Sequence, residues 1–275
     1  MLEESQSLSF ADDDSKNPPV SGLLDGLIRR FSRAAYMLLV LALYVCAAAI
    51  LGLALTPAVI FVASIHRFTA ALSVWVYLPS LAFAIALGFF IFAFALLAVV
   101  PVFNRILPTR LRPFKGGYYT FAALPWFVHN ALFYLVRFTV LPFFTLTPFG
   151  VWFLKAMGMK IGRHAFINTE YLSDPCMLTI GDDVAVGGSV RIFAHYGGGG
   201  NLVIAPTIIG HRVTLGLGVT VMGDVIIGEG ATILPHAAVM PKSRVGKGET
   251  WGGVPAKPVS RAEMDAFKKM TQGGS

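Results

Sequence analysis

Ile209-Gly210-His211-Arg212-Val213-Thr214-Leu215-Gly216-Leu217-Gly218-Val219-Thr220-Val221 opens the run that decides how the second half of this chain folds. A branched aliphatic stands at every sixth position, at Ile209, Leu215, Val221, Ile227, Ile233, Val239 and Val245. Glycine follows directly at Gly210, Gly216, Gly228 and Gly246. Four residues after each aliphatic stands a small or β-branched residue: Val213, Val219, Val225, Ala231, Ala237 and Ser243. A period of six fits neither an amphipathic helix, at about 3.6, nor a lone strand, at about 2. It fits a coil of three short strands in which the aliphatic of each strand stacks in a narrow interior.

This is the hexapeptide repeat of a left-handed parallel β-helix, and it begins before the unbroken run. Ile161 and Ile167 share the later phase, whereas Ile180, Val186 and Ile192 form a second register offset by one residue. Two interruptions separate the registers, Thr169–Thr179 and Phe193–Ile208, the latter holding the run Gly197–Gly200. Extruded loops of this kind can shift phase, because each coil contacts only its neighbours. At about 18 residues per coil, Gly158–Val254 makes roughly five coils, above the minimum of about three for a stable stack. A sandwich with chance spacing would not give seven consecutive hits with the glycines attached.

The first half is a different material. No charged residue lies between Arg33 and Arg67 or between Arg67 and Arg105, and the mean hydropathy of the chain is +0.68. A membrane span needs about 20 apolar residues at ~1.5 Å each, and Ala34–Val62 and Leu72–Phe103 both exceed that. They predict a transmembrane helical hairpin within residues 21–115, and a soluble helix pair is the bland alternative. A cleaved signal peptide does not fit, because the apolar run starts at Ala34 and has no small-residue cleavage pattern. Arg29, Arg30 and Arg33 precede the first span and Arg105, Arg110, Arg112 and Lys115 follow the second, while the connection offers His66 and Arg67. The positive-inside rule then places both ends in the cytoplasm and the Ser64–Ala71 turn outside. The expected location is the plasma (inner) membrane, multi-pass, with the repeat domain cytoplasmic.

Residues 116–157 are apolar and aromatic, with Trp126, Phe133, Tyr134, Phe143, Phe144 and Trp152, but Pro125, Pro142 and Pro148 interrupt them and His129 and Arg137 lie within. They read as amphipathic, interfacial helices that seat the repeat domain on the bilayer, or as two more short spans. Residues 1–20 form an acidic tail with Glu3, Glu4 and Asp12 to Asp14 before Pro18 and Pro19, expected to be disordered, and 259–275 form a polar C-terminal tail. The net charge of +7 suits anionic lipid, and no nucleic-acid motif accompanies it. Cys46 falls in a span and Cys176 in the repeat domain, so two reduced thiols are expected.

His195, in Phe193-Ala194-His195-Tyr196 before the glycines, is the leading candidate for chemistry. Acyl transfer from a thioester to a hydroxyl or amine needs a base for the acceptor proton, and an imidazole titrating near about 6.5 suits cytosolic pH. The glycine run lets backbone approach a ligand closely or only makes a flexible turn. Glu170 and Asp174 either orient His195 or are solvated loop charges. His211 and His236 fall at turns, and Trp251 is in phase with the interior aliphatics, as a cap of the last coil or a stacking surface.

Pro206–Ala256 resembles the C-terminal half of the hexapeptide-repeat O- and N-acetyltransferases. The matching pieces are Thr207-Ile208-Ile209-Gly210, Val213-Thr214-Leu215-Gly216, Val225-Ile226-Ile227-Gly228 and Trp251-Gly252-Gly253-Val254-Pro255-Ala256-Lys257, with Ile180-Gly181-Asp182 and Val190-Arg191-Ile192 ahead of His195. The resemblance implies that His195 is the general base and that acyl-CoA, acetyl-CoA first among candidates, lies along the wall between subunits of a homotrimer. It implies backbone contacts near Leu217 and Pro235, a cofactor surface at Trp251 and Gly253, and Lys257 near the nucleotide phosphates. Glu170, Asp174 and Tyr196 fall on the acceptor side, and no metal or tightly bound cofactor is implied.

Tyr118 to Pro258 is also similar to the membrane-linked C-terminal units of epsilon-poly-L-lysine synthetase and related peptide synthetases. The order of Met157-Gly158-Met159-Lys160-Ile161-Gly162-Arg163, Thr169-Glu170-Tyr171, Thr179-Ile180-Gly181-Asp182, His195 and the Trp-Gly-x-x-Pro-Ala ending carries that similarity. In that family paired transmembrane helices precede each unit, and the donor is a carrier-bound aminoacyl thioester. The expectations are a membrane-anchored acyltransferase using acyl-CoA on a membrane-associated acceptor, a transferase taking its donor from a carrier protein in trans, a metal-dependent hydratase built on His195, His211 and His236, and a non-catalytic scaffold.

Overall fold

The computed structural model of the chain describes residues 11–12, 32–118, 120–260 and 262–263. Most of both tails, with the expectations placed on them, lies outside the described residues. Ala11–Asp12 is the exception in the acidic segment expected to be disordered, since it pairs in parallel with Phe114–Lys115.

Two long helices come first, α1 (Ser32–Thr69) and α2 (Val74–Ile106), both long and apolar enough to cross a membrane. They meet through small side chains. Ala54, Ala58, Ala84 and Gly88 lie inward, and a Cβ added at Gly88 would come 3.1 Å from Val62. Close backbone approach of this kind is how apolar helices gain contact where no hydrophobic drive separates them from lipid. The large apolar side chains, among them Leu41, Phe83 and Trp75, point outward and are exposed. The helical part is longer than the charge-free spans, so the connection shrinks to residues 70–73 and His66 and Arg67, expected in the loop, occupy the last turn of α1. Basic side chains there face the negative end of the helix dipole.

Three shorter helices follow: α3 (Leu124–Arg137), α4 (Leu141–Phe144) and α5 (Pro148–Ala156). Pro125, Pro142 and Pro148 each sit in a first turn, where the missing N–H costs nothing. Phe138, Phe143, Phe149 and Trp152 of this region are exposed. Residues 114–117 form a strand that straddles the boundary expected between 21–115 and 116–157.

From Lys160 the chain passes in rotation through three parallel sheets. One holds Lys160–Ile161, Leu178–Ile180, Thr207–Ile209, Ile226–Ile227 and Arg244–Val245. The next holds Phe166–Ile167, Ala185–Val186, Thr214–Leu215, Thr232–Ile233 and Thr250–Gly252, and the third Arg191–Ile192, Thr220–Val221 and Ala238–Val239. The register stacks the aliphatics: Val186, Leu215, Ile233 and Trp251 form one column, and Ile192, Val221 and Val239 another. Trp251 continues the first of these columns on the last rung, where it is half-buried.

The two interruptions differ in kind. Partners are 18 residues apart from Ile209 to Ile227 and from Ile227 to Val245, but 29 apart from Ile180 to Ile209, so eleven residues are extruded there. Across the first interruption Ile161 and Ile180 are 19 apart, one more than a plain coil. Thr169–Thr179 is not an extruded loop. Leu172 bridges to Ile192 as the third side of the first coil and is fully buried.

Leu215 stacks between Val186 and Ile233 at 1% exposure. Leu215→Ala should cost about 2–5 kcal/mol through the cavity it leaves, measured as a lowered thermal midpoint of the β-sheet circular dichroism signal.

Candidate active site

The extruded residues form a β-hairpin, His195–Gly198 against Asn201–Ile204, joined by Gly199 and Gly200. Both glycines have positive φ, 57° and 80°, as a two-residue type I′ turn requires. Phe114–Gly117 adds to the hairpin as a third, antiparallel strand, with Phe114 opposite Ile204 and Ile204 opposite His195. A Cβ on Gly197 would lie 2.6 Å from the Tyr118 hydroxyl. The glycine run thus makes the turn and admits the strand that follows the two long apolar helices.

Asp174 stands behind His195. It is fully buried and adopts a left-handed conformation, φ 56° and ψ 49°, ahead of a short 3₁₀ turn at Pro175–Met177. Aspartate is one of the few residues that tolerates this conformation. His195 Nδ1 lies 2.5 Å from Asp174 Oδ2, and the same oxygen accepts from Ala194 N–H at 3.2 Å. Asp174 Oδ1 accepts from Trp126 Nε1 at 2.8 Å and from Asn130 Nδ2 at 2.7 Å. Burial alone would raise this carboxyl. The hydrogen bonds from His195 and Asn130, with the nearby charges of His195 and His129, outweigh it and hold the group below the usual range. Asp174 is neither a solvated loop charge nor an acceptor-side group, because nothing of it reaches solvent.

Because an ionised carboxylate only accepts, the proton shared with Asp174 belongs to His195 Nδ1, and Nε2 is the nitrogen left open. Among the described residues Nε2 has no hydrogen-bond partner. The ring is held edge-on by Trp126 at 5.0 Å and Phe193 at 5.6 Å between centroids. With Nδ1 held by a buried carboxylate and Nε2 bare, the arrangement can accept a proton at Nε2.

The support comes from one stripe of α3. Trp126 and Asn130 reach Asp174, Tyr134 Oη lies 2.9 Å from Ser173 Oγ, and Arg137 Nη1 donates to Leu172 O at 3.0 Å. Arg137 is buried against Tyr134, Phe138 and Tyr171. Behind this stripe a second chain of contacts leads back to α2. His129 Nδ1 donates to Asn104 Oδ1 at 2.8 Å, and its Nε2 faces Cys176 Sγ at 3.7 Å. Its order copies a thiol nucleophile with base and orienter, but the electrostatics oppose that use. Burial lowers His129 to about 4 against the pull of Asp174. Burial and the Asp174 charge push the Cys176 thiol up to about 12. Both groups stay neutral at physiological pH, and the chain acts as packing.

The residues expected to meet CoA lie elsewhere on the coil. Leu217, Pro235 and Gly253 are exposed and stack at the corner between the second and third sheets, tied by His236 N–H to Leu217 O at 2.8 Å and Ala238 N–H to Gly253 O at 3.0 Å. His195 occupies the corner between the third and first sheets, above Gly223, whose added Cβ would lie 2.8 Å from His195 N. Trp251 donates to Glu249 at 2.8 Å, and exposed Lys257 pairs with Gly252 on a strand that folds back over the last rung. Tyr196 flanks the base on the hairpin, and burial and the Asp224 charge raise its phenol. Glu170 is half-buried on the first coil, and among the described residues its carboxylate makes no hydrogen bond.

His195, His211 and His236 occupy three different corners, so within one chain they do not converge on a metal. Among the described residues no group of three His, Cys, Asp or Glu is placed to hold one. Sequence reasoning missed Trp126, Asn130, Asn104 and the buried pair His129–Cys176. Its only available signal was a polar stripe, 126, 130, 134 and 137, on an otherwise apolar helix.

Asp174 supplies a pH prediction. Its folded value lies below the unfolded one of about 3.9, so its contribution is complete above that value and is lost as pH falls through the folded value. Acid titration followed by tryptophan fluorescence should show Asp174→Asn less stable than wild type at neutral pH, with the gap closing below about pH 4. A gap independent of pH would remove the ionised carboxylate from this account.

No family model matches the chain. Over 114 residues it is 25% identical to the delta-poly-L-ornithine synthetase of Acinetobacter baumannii, covering 42% of this chain and 9% of that protein, so the chain spans a small part of that relative's length. Among solved structures it aligns with a hexapeptide-repeat acetyltransferase of Vibrio cholerae complexed with acetyl-CoA, at 25% identity, 38% of this chain, 60% of that one and a TM-score of 0.35. It also aligns with a galactoside acetyltransferase in complex with coenzyme A, at 19% identity, 48% of this chain, 82% of that one and a TM-score of 0.38. The chain is thus similar to hexapeptide-repeat acetyltransferases and, more weakly, to a polyamino-acid synthetase.

Proposed function

We propose that this chain is a membrane-anchored acyltransferase that moves an acyl group from acyl-CoA, acetyl-CoA first among candidates, to a hydroxyl or amine of a membrane-associated acceptor. The observation that carries the reading is the 2.5 Å contact of His195 Nδ1 with buried Asp174. His195 Nε2 takes the acceptor proton as the oxygen or nitrogen attacks the thioester carbonyl. The tetrahedral intermediate expels the CoA thiolate, which recovers a proton from the imidazolium. Asp174 stays ionised and stabilises that imidazolium.

In this reading the coil is a left-handed parallel β-helix and the working unit is a homotrimer. The base and the Leu217–Pro235–Gly253 edge lie on different corners of one protomer. A trimer offers the arrangement in which one protomer's CoA edge faces the next protomer's His195. Lys257 would meet the nucleotide phosphates. The two apolar helices anchor the unit in the inner membrane with the coil on the cytoplasmic side, as the flanking arginines favour. The similarity to a polyornithine synthetase favours a second reading, in which the thioester arrives on a carrier protein. Calorimetry separates the two donors, since only the first requires that acetyl-CoA bind the purified chain.

His195→Ala should fold, bind acetyl-CoA as wild type does and lose roughly 100-fold or more in turnover. Near-full turnover in that variant would remove His195 from the mechanism. Asn130→Ala, which strips a donor from Asp174 without touching the reactants, should lower kcat by roughly tenfold or more through misplacement of the base, with KM for the acyl donor unchanged. A change confined to KM would show that Asn130 does not position the base.

A further inference from the structure

An apolar cavity of about 210 Å³ lies on the other face of α3, bounded by Leu43 and Cys46 of α1, by Leu107 and Pro108 after α2, and by Val128, Ala131 and Leu132 of α3. The segment that leaves this cavity is cationic. Arg105, Arg110 and Arg112 are exposed, and among the described residues none of them makes an ion pair. The same segment continues into Phe114–Gly117, the strand bordering the hairpin that carries His195. From Pro108 to Phe114 the chain reaches at most about 20 Å. One continuous stretch therefore runs from an apolar cavity at the end of two membrane-length helices, past a strip of free arginines, to the sheet that carries His195, with the strand Asn201–Ile204 between them.

We propose that this track holds an anionic membrane lipid, with an alkyl chain in the cavity, a phosphate-bearing headgroup along Arg105, Arg110 and Arg112, and the headgroup hydroxyl or amine presented to His195 as the acceptor. This names the acceptor class for the activity proposed above and rests on that reading. The cavity wall offers an alkyl chain nothing polar to desolvate. Guanidinium groups pair with phosphate through paired N–H donors. The backbone register sets Asp12 opposite Lys115, next to the strip, so an acidic segment of this chain borders the proposed headgroup site and competes for it. A water-soluble acceptor would use neither the cavity nor its place beside the membrane helices.

The test uses the full chain in amphipol, titrated calorimetrically with dioctanoyl phosphatidylglycerol, dioctanoyl phosphatidylcholine and inorganic phosphate. Phosphatidylglycerol should bind roughly tenfold or more tightly than phosphatidylcholine, and phosphate alone should not displace it. Arg110→Gln with Arg112→Gln should erase that preference and leave phosphatidylcholine binding unchanged. Ala131→Trp, which fills the cavity, should weaken both lipids, and Ala47→Leu serves from the opposite wall if the tryptophan is not tolerated. In vesicles containing phosphatidylglycerol, label from radioactive acetyl-CoA should enter the organic extract, and the arginine pair should abolish it while acetyl-CoA binding persists. Equal affinity for the two lipids, or lipid binding unaffected by both cavity variants, would overturn the site. Label confined to water-soluble products would overturn the acceptor role. Selective lipid binding without any acetyl-CoA binding would support the lipid site and refute the acyltransferase reading instead.

Discussion

Asp174 is a carboxylate with no contact to solvent, and burying such a charge costs several kcal/mol unless donors replace the water. Here they come from α3, through Trp126 and Asn130, and from the start of the hairpin, through the Ala194 backbone and the His195 ring. None of these parts can be displaced without leaving the charge short of partners. The coil, the hairpin and α3 are therefore fixed to one another at a single point. That dependence also accounts for the shape of the first coil. Its third side spends just one residue beyond the regular repeat, and the left-handed turn at Asp174 aims the carboxylate between α3 and the corner that begins the hairpin.

The membrane-length helices are coupled to this point through α3. Its apolar face lies toward α1 and α2, and its polar stripe grips residues 172–174. Arg137 shows how tightly. A buried guanidinium is tolerated because a backbone carbonyl takes one donor and aromatic faces surround the rest. The two long apolar helices are thus part of the frame around His195, and α3 is a strut between the two halves.

The coil was legible because its period is a backbone property: a strand of fixed length returns an aliphatic to the interior every sixth residue. His195 was legible because it sits where that period breaks. Asp174 was ambiguous, since in the sequence it stands among Ser173 and Pro175 with the look of a loop charge. The one-residue excess that makes this stretch a coil side appears only once Ile161 is paired with Ile180. Trp126 and Asn130 were hidden for a different reason. Their partner is about 44 residues or more away in sequence, and no local pattern states which residue a helix stripe will meet. The glycine run was read as a turn or a close approach, and the hairpin uses it as both, at Gly199–Gly200 and at Gly197 under Tyr118.

Two imidazoles flank the same carboxylate, and their different solvation separates their roles. The His129 side chain is wholly buried, its Nδ1 proton is committed to Asn104, and burial holds it neutral at about 4. Burial outweighs the pull of Asp174 there, so His129 packs as a neutral ring. The His195 side chain is 23% exposed and touches the same Asp174 through Nδ1, with Nε2 left unpartnered among the described residues. That ring has one nitrogen against a fixed negative charge and the other open toward water. The carboxylate is common to both rings. Access to solvent separates the two rings: His129 is wholly buried and His195 is partly exposed at the corner where the hairpin leaves the coil.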